Sequence, residues 1–491
     1  MPICSDIYNI IANYLPLKDS IKLQYLCKNL FEFRMEHYIF DKLNVTFLEK
    51  HLESIVRLEI IKRDDNDIIN DEVNDEIISK FKNLKYLILP GNTDITDKGL
   101  VHLKGIHTLR LDSNYNITDK GLQYLEGIHT LKLHSGRRIT DEGLIYLKGI
   151  HTLKLNCNKN ITDNGLVNLK GIHTLELSCN TKITDNGLVH IKGIHTLKLR
   201  CNNKITDNGL VHLKGIHTLE LYGTEDITDN GLSYLKEIHS LCLYCGGKIT
   251  DNGLIHLKGI HTLKLYNNNK ITDNGLVHLE GIHILALTSN ITNNGLINLK
   301  RIHTLDLRGN NITDDGLKYL NGIHTLNLHC NKNITDNGLV HLKGIHTLDL
   351  SLNNNITDDG LKHLSGIHSL NLNRNTNITD SGLIYLRGIN SLNLCVNINL
   401  TDSGLMHLEG IRKLYLINNE NITDEGLIHL RGIHTLSLSN NKNITDSGLM
   451  HLRNIKVLDL RYNTNITEKG MNYVKCCLLN NAKLDYCYAK N

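Results

Sequence analysis

From Ile95 onward apolar residues return with a 22-residue period, in the pattern I-T-D-x-G-L-x-x-L-x-G-I-H-T-L-x-L-x-x-N. Eighteen repeats carry it, all opening on isoleucine except one that opens on Leu400. A fixed period of this length signals a solenoid, in which each repeat covers the apolar face of the next. The alternation Leu109, Arg110, Leu111 predicts a short strand with two side chains inward and one outward. Thr96 and Asp97 suit a helix start, by capping free N–H groups and by placing a carboxylate at the positive end of the dipole. Leu100 and Leu103 then share the inward side of a short helical turn. Gly105, matched in fourteen repeats, predicts a left-handed stop, and Gly99, matched in all eighteen, predicts close packing against the neighbouring helix. Asn114 and its equivalents end the strand where a buried turn must find hydrogen-bond partners; Gly136, Thr224 and Gly246 interrupt that column.

Two repeats are short, because Asn290 runs directly into Ile291 and only Asn311 separates Asn310 from Ile312. Both deletions fall between strand and helix, so the stack should continue through them. A degenerate repeat opens at Val73, and Leu52, Ile55, Leu58 and Ile60 suggest another before it. Two domains are therefore expected: a helical module over 1–43 and a solenoid over 44–491. In the module, Ile7, Ile10, Ile11 and Tyr14 share one side at helical spacing, Pro16 ends that run, and Asp19 or Ser20 can start the next helix.

Composition supports the repeat reading and narrows the function. The chain has 491 residues, more than one compact core usually holds, with 38 glycines, 3 prolines and no tryptophan. A net charge of +3, from 54 basic and 51 acidic side chains, gives no overall pull toward nucleic acid or an anionic membrane. No apolar run approaches the roughly 20 residues of a membrane span, and the start MPICSDIYNI lacks a secretory pattern. A cytoplasmic or nuclear protein with reduced thiols is expected, with neither membrane nor nucleic acid as partner. Only four alanines beside abundant asparagine, isoleucine and lysine point to an AT-rich genome, such as that of a large DNA virus or a protist.

Candidate chemistry dissolves into columns. Fourteen histidines precede the strand, among them His107, His129, His151, His173 and His195, and stacking should set them ~5 Å apart. Zinc needs three or four converging ligands, whereas a column supplies them in a line, so the expectation is structural stacking and no metal. A second column, including His190, His212, His256 and His278, is expected on exposed helical turns. Cys157, Cys179 and Cys201 have no CxxC pair beside them and read as small buried thiols. The Asp97 column reads as helix capping and not as a calcium ladder. No acid–base pair, nucleophile elbow or phosphate loop stands outside the repeat, so no catalytic residue and no cofactor is assigned.

What varies from copy to copy is the outward strand position: Arg110, Lys132, Lys154, Glu176, Lys198, Glu220, Cys242 and Lys264, then Ala286, Asp306, Asn327, Asp349, Asn371 and Asn393. Two residues further on, Tyr222, Tyr244 and Tyr266 follow one another in successive repeats. Tyrosine and arginine are common interface anchors, which marks Lys198, Arg200, Tyr222, Tyr244, Lys264 and Tyr266 as the candidate substrate-binding set.

The repeat closely resembles leucine-rich repeats, α/β solenoids of horseshoe form with parallel strands on the concave face. Residues 3–30, ICSDIYNIIANYLPLKDSIKLQYLCKNL, resemble an F-box: Ile3, Asp6, Ile7, Ile11, Tyr14, Leu15, Pro16, Lys18, Asp19, Leu23, Leu26, Cys27 and Lys28 align with that family's pattern without gaps. Cys4 stands where the family usually has proline, and Leu30 where it usually has tryptophan. The ITDxGL motif, with Cys157, Cys179, Cys201, Cys245 and Cys330 near the strand end, also resembles the cysteine-containing repeats of F-box proteins, in a shortened form. The resemblance implies a small all-α F-box-like module that docks the Skp-type adaptor of a cullin–RING ubiquitin ligase through Ile7, Ile11, Leu15, Pro16, Leu23 and Leu26. A protein substrate would occupy the concave face. The alternative is a repeat scaffold without a ubiquitin role, whose residues 1–43 only cap the coil.

Overall fold

The computed structural model describes residues 37–40, 55–60, 73–89, 94–478 and 483–485, apart from 113, 135, 203, 246, 289, 310 and 454. The described residues fall into two compact units. One runs to Ile227 and includes Tyr234–Ile238; the other comprises Thr228–Ser233 and the chain from His239. The adaptor-docking positions Ile7, Ile11, Leu15, Pro16, Leu23 and Leu26 lie outside the described residues.

Both units are built from the predicted repeat. In the N-terminal unit parallel strands run from His37–Phe40 to Thr218–Thr224, each paired with the strand one repeat on. The C-terminal unit does the same from Ser240–Cys245 to Lys483–Asp485. Register follows the leucines: Leu131 faces Leu153 and Leu133 faces Leu155, all at 0–2% exposure, while Lys132 and Lys154 point outward between them. In most repeats the strand is preceded by one α turn continued as a 3-10 turn, for example Asp97–Leu100 and Val101–Leu103 before Thr108–Leu111. Gly105 then reverses the chain at φ +78°, and its equivalents take the same left-handed conformation.

The aspartate at the helix start does more than favour its own dipole. Asp97 Oδ1 accepts from the Thr118 amide at 2.8 Å and Asp97 Oδ2 from the Thr118 hydroxyl at 2.6 Å, so it grips the cap residue of the following repeat. Thr118 in turn caps its own helix, accepting from Lys120 N at 3.2 Å. The amide contact recurs at 2.7–2.9 Å from Asp75 to Asp185 in one unit and wherever the residue is aspartate from Asp229 to Asp446 in the other. This ladder explains the invariant glycine, because a Cβ on Gly121 would run into the Asp97 carboxylate. The glycine makes room for the clamp.

One rung differs. Asn293 Oδ1 accepts from Thr313 N at 3.0 Å, but its Nδ2 donates to Thr313 Oγ1 at 2.7 Å, and Thr313 makes no side-chain cap to its helix. A carboxylate would take the hydroxyl proton and leave a lone pair facing the helix N–H. Asn293→Asp should therefore raise stability by about 1 kcal/mol, read as a higher urea midpoint; an unchanged or lower midpoint would show that the amide serves equally well.

The asparagine column satisfies buried backbone as expected, in two ways. Asn158 Nδ2 donates to Ile139 O at 2.8 Å while its Oδ1 accepts from Ile161 N at 3.0 Å. Asn268 donates similarly to Ile249 O at 2.9 Å. Beyond the two short repeats the donor reaches a different carbonyl: Asn419 Nδ2 meets Leu394 O at 2.9 Å, and its Oδ1 accepts from Asn397 N at 2.9 Å. The strands there shorten to three residues, as in Ser391–Asn393. Where Thr224 replaces the asparagine, its buried hydroxyl has no hydrogen-bond partner.

Candidate interaction surface

In the N-terminal unit the outward side chains Arg110, Lys132, Lys154, Glu176, Lys198 and Glu220 lie in register on six adjacent strands. Three of the six candidate residues in the sequence reading meet at its last strands. Lys198 and Arg200 both pair with Glu220, at 3.1 and 2.8 Å, and the Arg200 guanidinium stands 5.3 Å from the Tyr222 ring centre. Burial works against charge on Glu220, yet the Lys198 hydrogen bond and the two cations hold its carboxyl below the usual range. Sequence reasoning placed Glu220 in the right column without seeing that it absorbs both cations. The signal was present, since Glu220 follows Lys198 by one repeat.

In the C-terminal unit Tyr244 and Tyr266 face each other in register and stack, with ring centres 4.4 Å apart and planes at 29°. Lys264 precedes Tyr266 on the same outward face, in register with Cys242 and Ala286. Ala286 is 3% exposed, and the small side chain leaves the space above it to its neighbours. Arg308, paired to Asp306 at 2.8 Å, comes within electrostatic reach of both tyrosines. Burial, together with Cys242, Asp306 and Tyr244, pushes the Tyr266 phenol up to about 12. Asp306 and Arg308 thus join a cluster that sequence reasoning had limited to Tyr244, Lys264 and Tyr266; alanine at one outward position was the clue.

The histidine column stacks. Rings from His107 to His217 sit 4.4–4.6 Å apart in one unit, and those from His239 to His368 sit 4.4–4.7 Å apart in the other. Nδ1 of His129 meets Thr130 Oγ1 at 3.1 Å, a contact repeated along the column. Among the described residues no three His, Cys, Asp or Glu side chains gather as a metal-ligand set. His190, His212, His256 and His278 are half-buried on their 3-10 turns, less open than the spacing suggested.

The cysteine expectation is corrected. Cys157 and Cys179 are partly exposed and Cys201 is exposed, not buried. All three, with Cys330, hold φ between 54° and 63°, in the left-handed region between strand and asparagine. Leu352, Val396, Asn418 and Asn440 occupy the same conformation in later repeats, so the position is a tight corner and not a core site.

These coils match the family described as Leucine Rich repeat at residues 150–170, 172–191, 194–214, 302–320, 345–365, 367–386 and 433–452, in both units. The fold is a leucine-rich-repeat solenoid. A search of curated proteins returns no significant match. Among solved leucine-rich-repeat structures, a TLR13–ssRNA13 complex is 20% identical over 83% of this chain and 60% of that one, with a TM-score of 0.43. This chain therefore spans about three-fifths of that protein's length. An internalin, inlF, from Listeria monocytogenes is 23% identical over 70% and 89% of the two chains, with a TM-score of 0.39. The Rad7 and Elc1 complex from yeast is 17% identical over 98% and 92%, at 0.39. Among the described residues no helix is long and apolar enough to cross a membrane.

Proposed function

We propose that this leucine-rich-repeat protein is a protein-binding adaptor, the substrate-recognition subunit of an SCF-type cullin–RING ubiquitin ligase. The observation that supports binding is the contrast between the two sides of each strand. Inward positions repeat leucine at near-zero exposure, whereas the outward column changes in size, charge and aromaticity from copy to copy. A surface that varies on a fixed frame suits selection of one partner. Lys198, Arg200 and Tyr222 in one unit, and Tyr244, Lys264 and Tyr266 in the other, are the positions assigned to a protein substrate. With Lys198 and Arg200 already paired to Glu220, the tyrosine faces supply the main anchors there. Ubiquitin transfer would belong to partner subunits, in the cytoplasm or nucleus.

The ubiquitin reading rests on the gap-free F-box pattern of residues 3–30, with 1–43 as the docking module and 44–491 as the solenoid. Its test is capture of a Skp-type adaptor by the full chain. Changing Leu15 and Leu26 to aspartate places two unpaired carboxylates in the contact, each costing at least about 2 kcal/mol, so capture should fall on the order of 1,000-fold. The far-ultraviolet spectrum should not change, because neighbouring repeats hold the solenoid. Failure of the unaltered chain to capture any such adaptor would leave the alternative, a repeat scaffold with no ubiquitin role.

A further inference from the structure

The outward column of the N-terminal unit contains one cation that its neighbours do not neutralise. Arg110 is tied to Asp112 at 2.7 Å and Lys154 to Glu176 at 2.9 Å. Lys132 lies between them in strict register and has no carboxylate within ion-pair distance among the described residues. Burial, and then the positive charges of Lys154 and Arg110, pull its ammonium below the usual lysine range, while Glu176 and Asp112 oppose them only in part. Three cations thus stand side by side, about two strand spacings or ~10 Å across, with a carboxylate at either flank. Such a row holds unspent positive charge in a half-buried setting, where an added anion is screened less than on open surface.

We propose that Arg110, Lys132 and Lys154 form a receiving site for an acidic side chain of a protein partner, centred on Lys132. The row is too short to track a nucleic-acid backbone, because the next strand turns the column to Glu176 and a later one to Glu220. One unmatched charge fits one carboxylate, held between a guanidinium and two ammonium groups. The site is separate from the tyrosine positions and stands whether or not the chain docks a Skp-type adaptor.

The test uses the full chain and a fluorescein-labelled hexaglutamate peptide, read by anisotropy at low salt. Lys132→Gln should weaken binding about five-fold and Lys132→Glu more, whereas Lys148→Gln, on the helical side, should leave it unchanged. A hexaglutamine peptide should not bind. Lysine acetylation mapped by mass spectrometry on the unaltered protein gives a readout free of folding effects, and Lys132 should be protected by hexaglutamate. Equal affinity of the Lys132→Gln variant, or no protection of Lys132, would overturn the proposal. So would a single-stranded oligonucleotide that displaces the peptide and protects the same lysine at lower concentration, since the row would then be a nucleic-acid contact.

Discussion

Gly338→Ala should lower stability by about 2–4 kcal/mol, against a helix propensity that alone would favour alanine by roughly 1 kcal/mol. Gly338 lies in the α turn Asp336–Leu339, and a Cβ there would run into Asp314 Oδ1 and come 3.0 Å from Leu317 Cδ1. Asp314 cannot yield cheaply, because its two oxygens hold the Thr335 amide at 2.8 Å and the Thr335 hydroxyl at 2.6 Å. Moving the carboxylate breaks a charge-assisted pair; keeping it forces the helices apart and opens the leucine layer. Gly344→Ala is the matched control. It sits at φ +84° with nothing within 4 Å of the added carbon, so only left-handed strain of about 1–2 kcal/mol applies. Urea midpoints of the two variants separate the effects, and hydrogen exchange at the Thr335 amide should rise in the first and not in the second. A Gly338 variant no less stable than the control would mean that the aspartate clamp contributes nothing.

Much of this architecture is legible in the sequence because the repeat prints its structural demands many times over, the Gly105 position in fourteen repeats and the Gly99 position in all eighteen. Leu109 and Leu111 announce a two-faced strand, and Gly105 a left-handed stop. Illegible were contacts whose partners sit one repeat away. Asp97 reads locally as a helix-start residue, yet its partner is Thr118, 21 residues on. Glu220 looks like one more varied position until stacking places it between Lys198 and Arg200. The cysteine column misled for a different reason. Small apolar residues are usually buried, but at Cys157 and Cys201 the backbone turns left-handed and carries the side chain toward solvent. Asn418 and Asn440, which tolerate that conformation well, were the sequence clue to the corner.

Acidification from about pH 8 to about pH 5 should lower the urea midpoint markedly, and the histidine stacks should be the cause. Burial, and then the flanking rings, lower the imidazole pKa of His151, His195, His261 and His303. A depressed pKa means that the folded protein binds fewer protons than the unfolded chain. The stability this represents is present above the unfolded value near 6.5 and is lost as pH falls through the lower folded values. With ring centres 4.4–4.7 Å apart, each of these four rings has an imidazole on either side that opposes its protonation. Two carboxylates of the C-terminal unit lose their charge at lower pH. Asp446, despite its burial, is held low by the Thr467 hydroxyl and amide, and Asp459 likewise by Arg461. The stability these two represent is present above the unfolded value of about 3.9 and is lost as pH falls through their lower folded values, beneath the interval between about pH 5 and about pH 6.5 in which the four imidazoles take up protons. Changing His151, His195, His261 and His303 together to asparagine removes those charges without breaking the strand ladder. Asn390 already fills the column, with its amide bonded to His368 O at 3.1 Å. The variant should show a flatter midpoint over that interval and the same fall below it. If the slope survives, the protons are taken up elsewhere and the stacks tolerate charge.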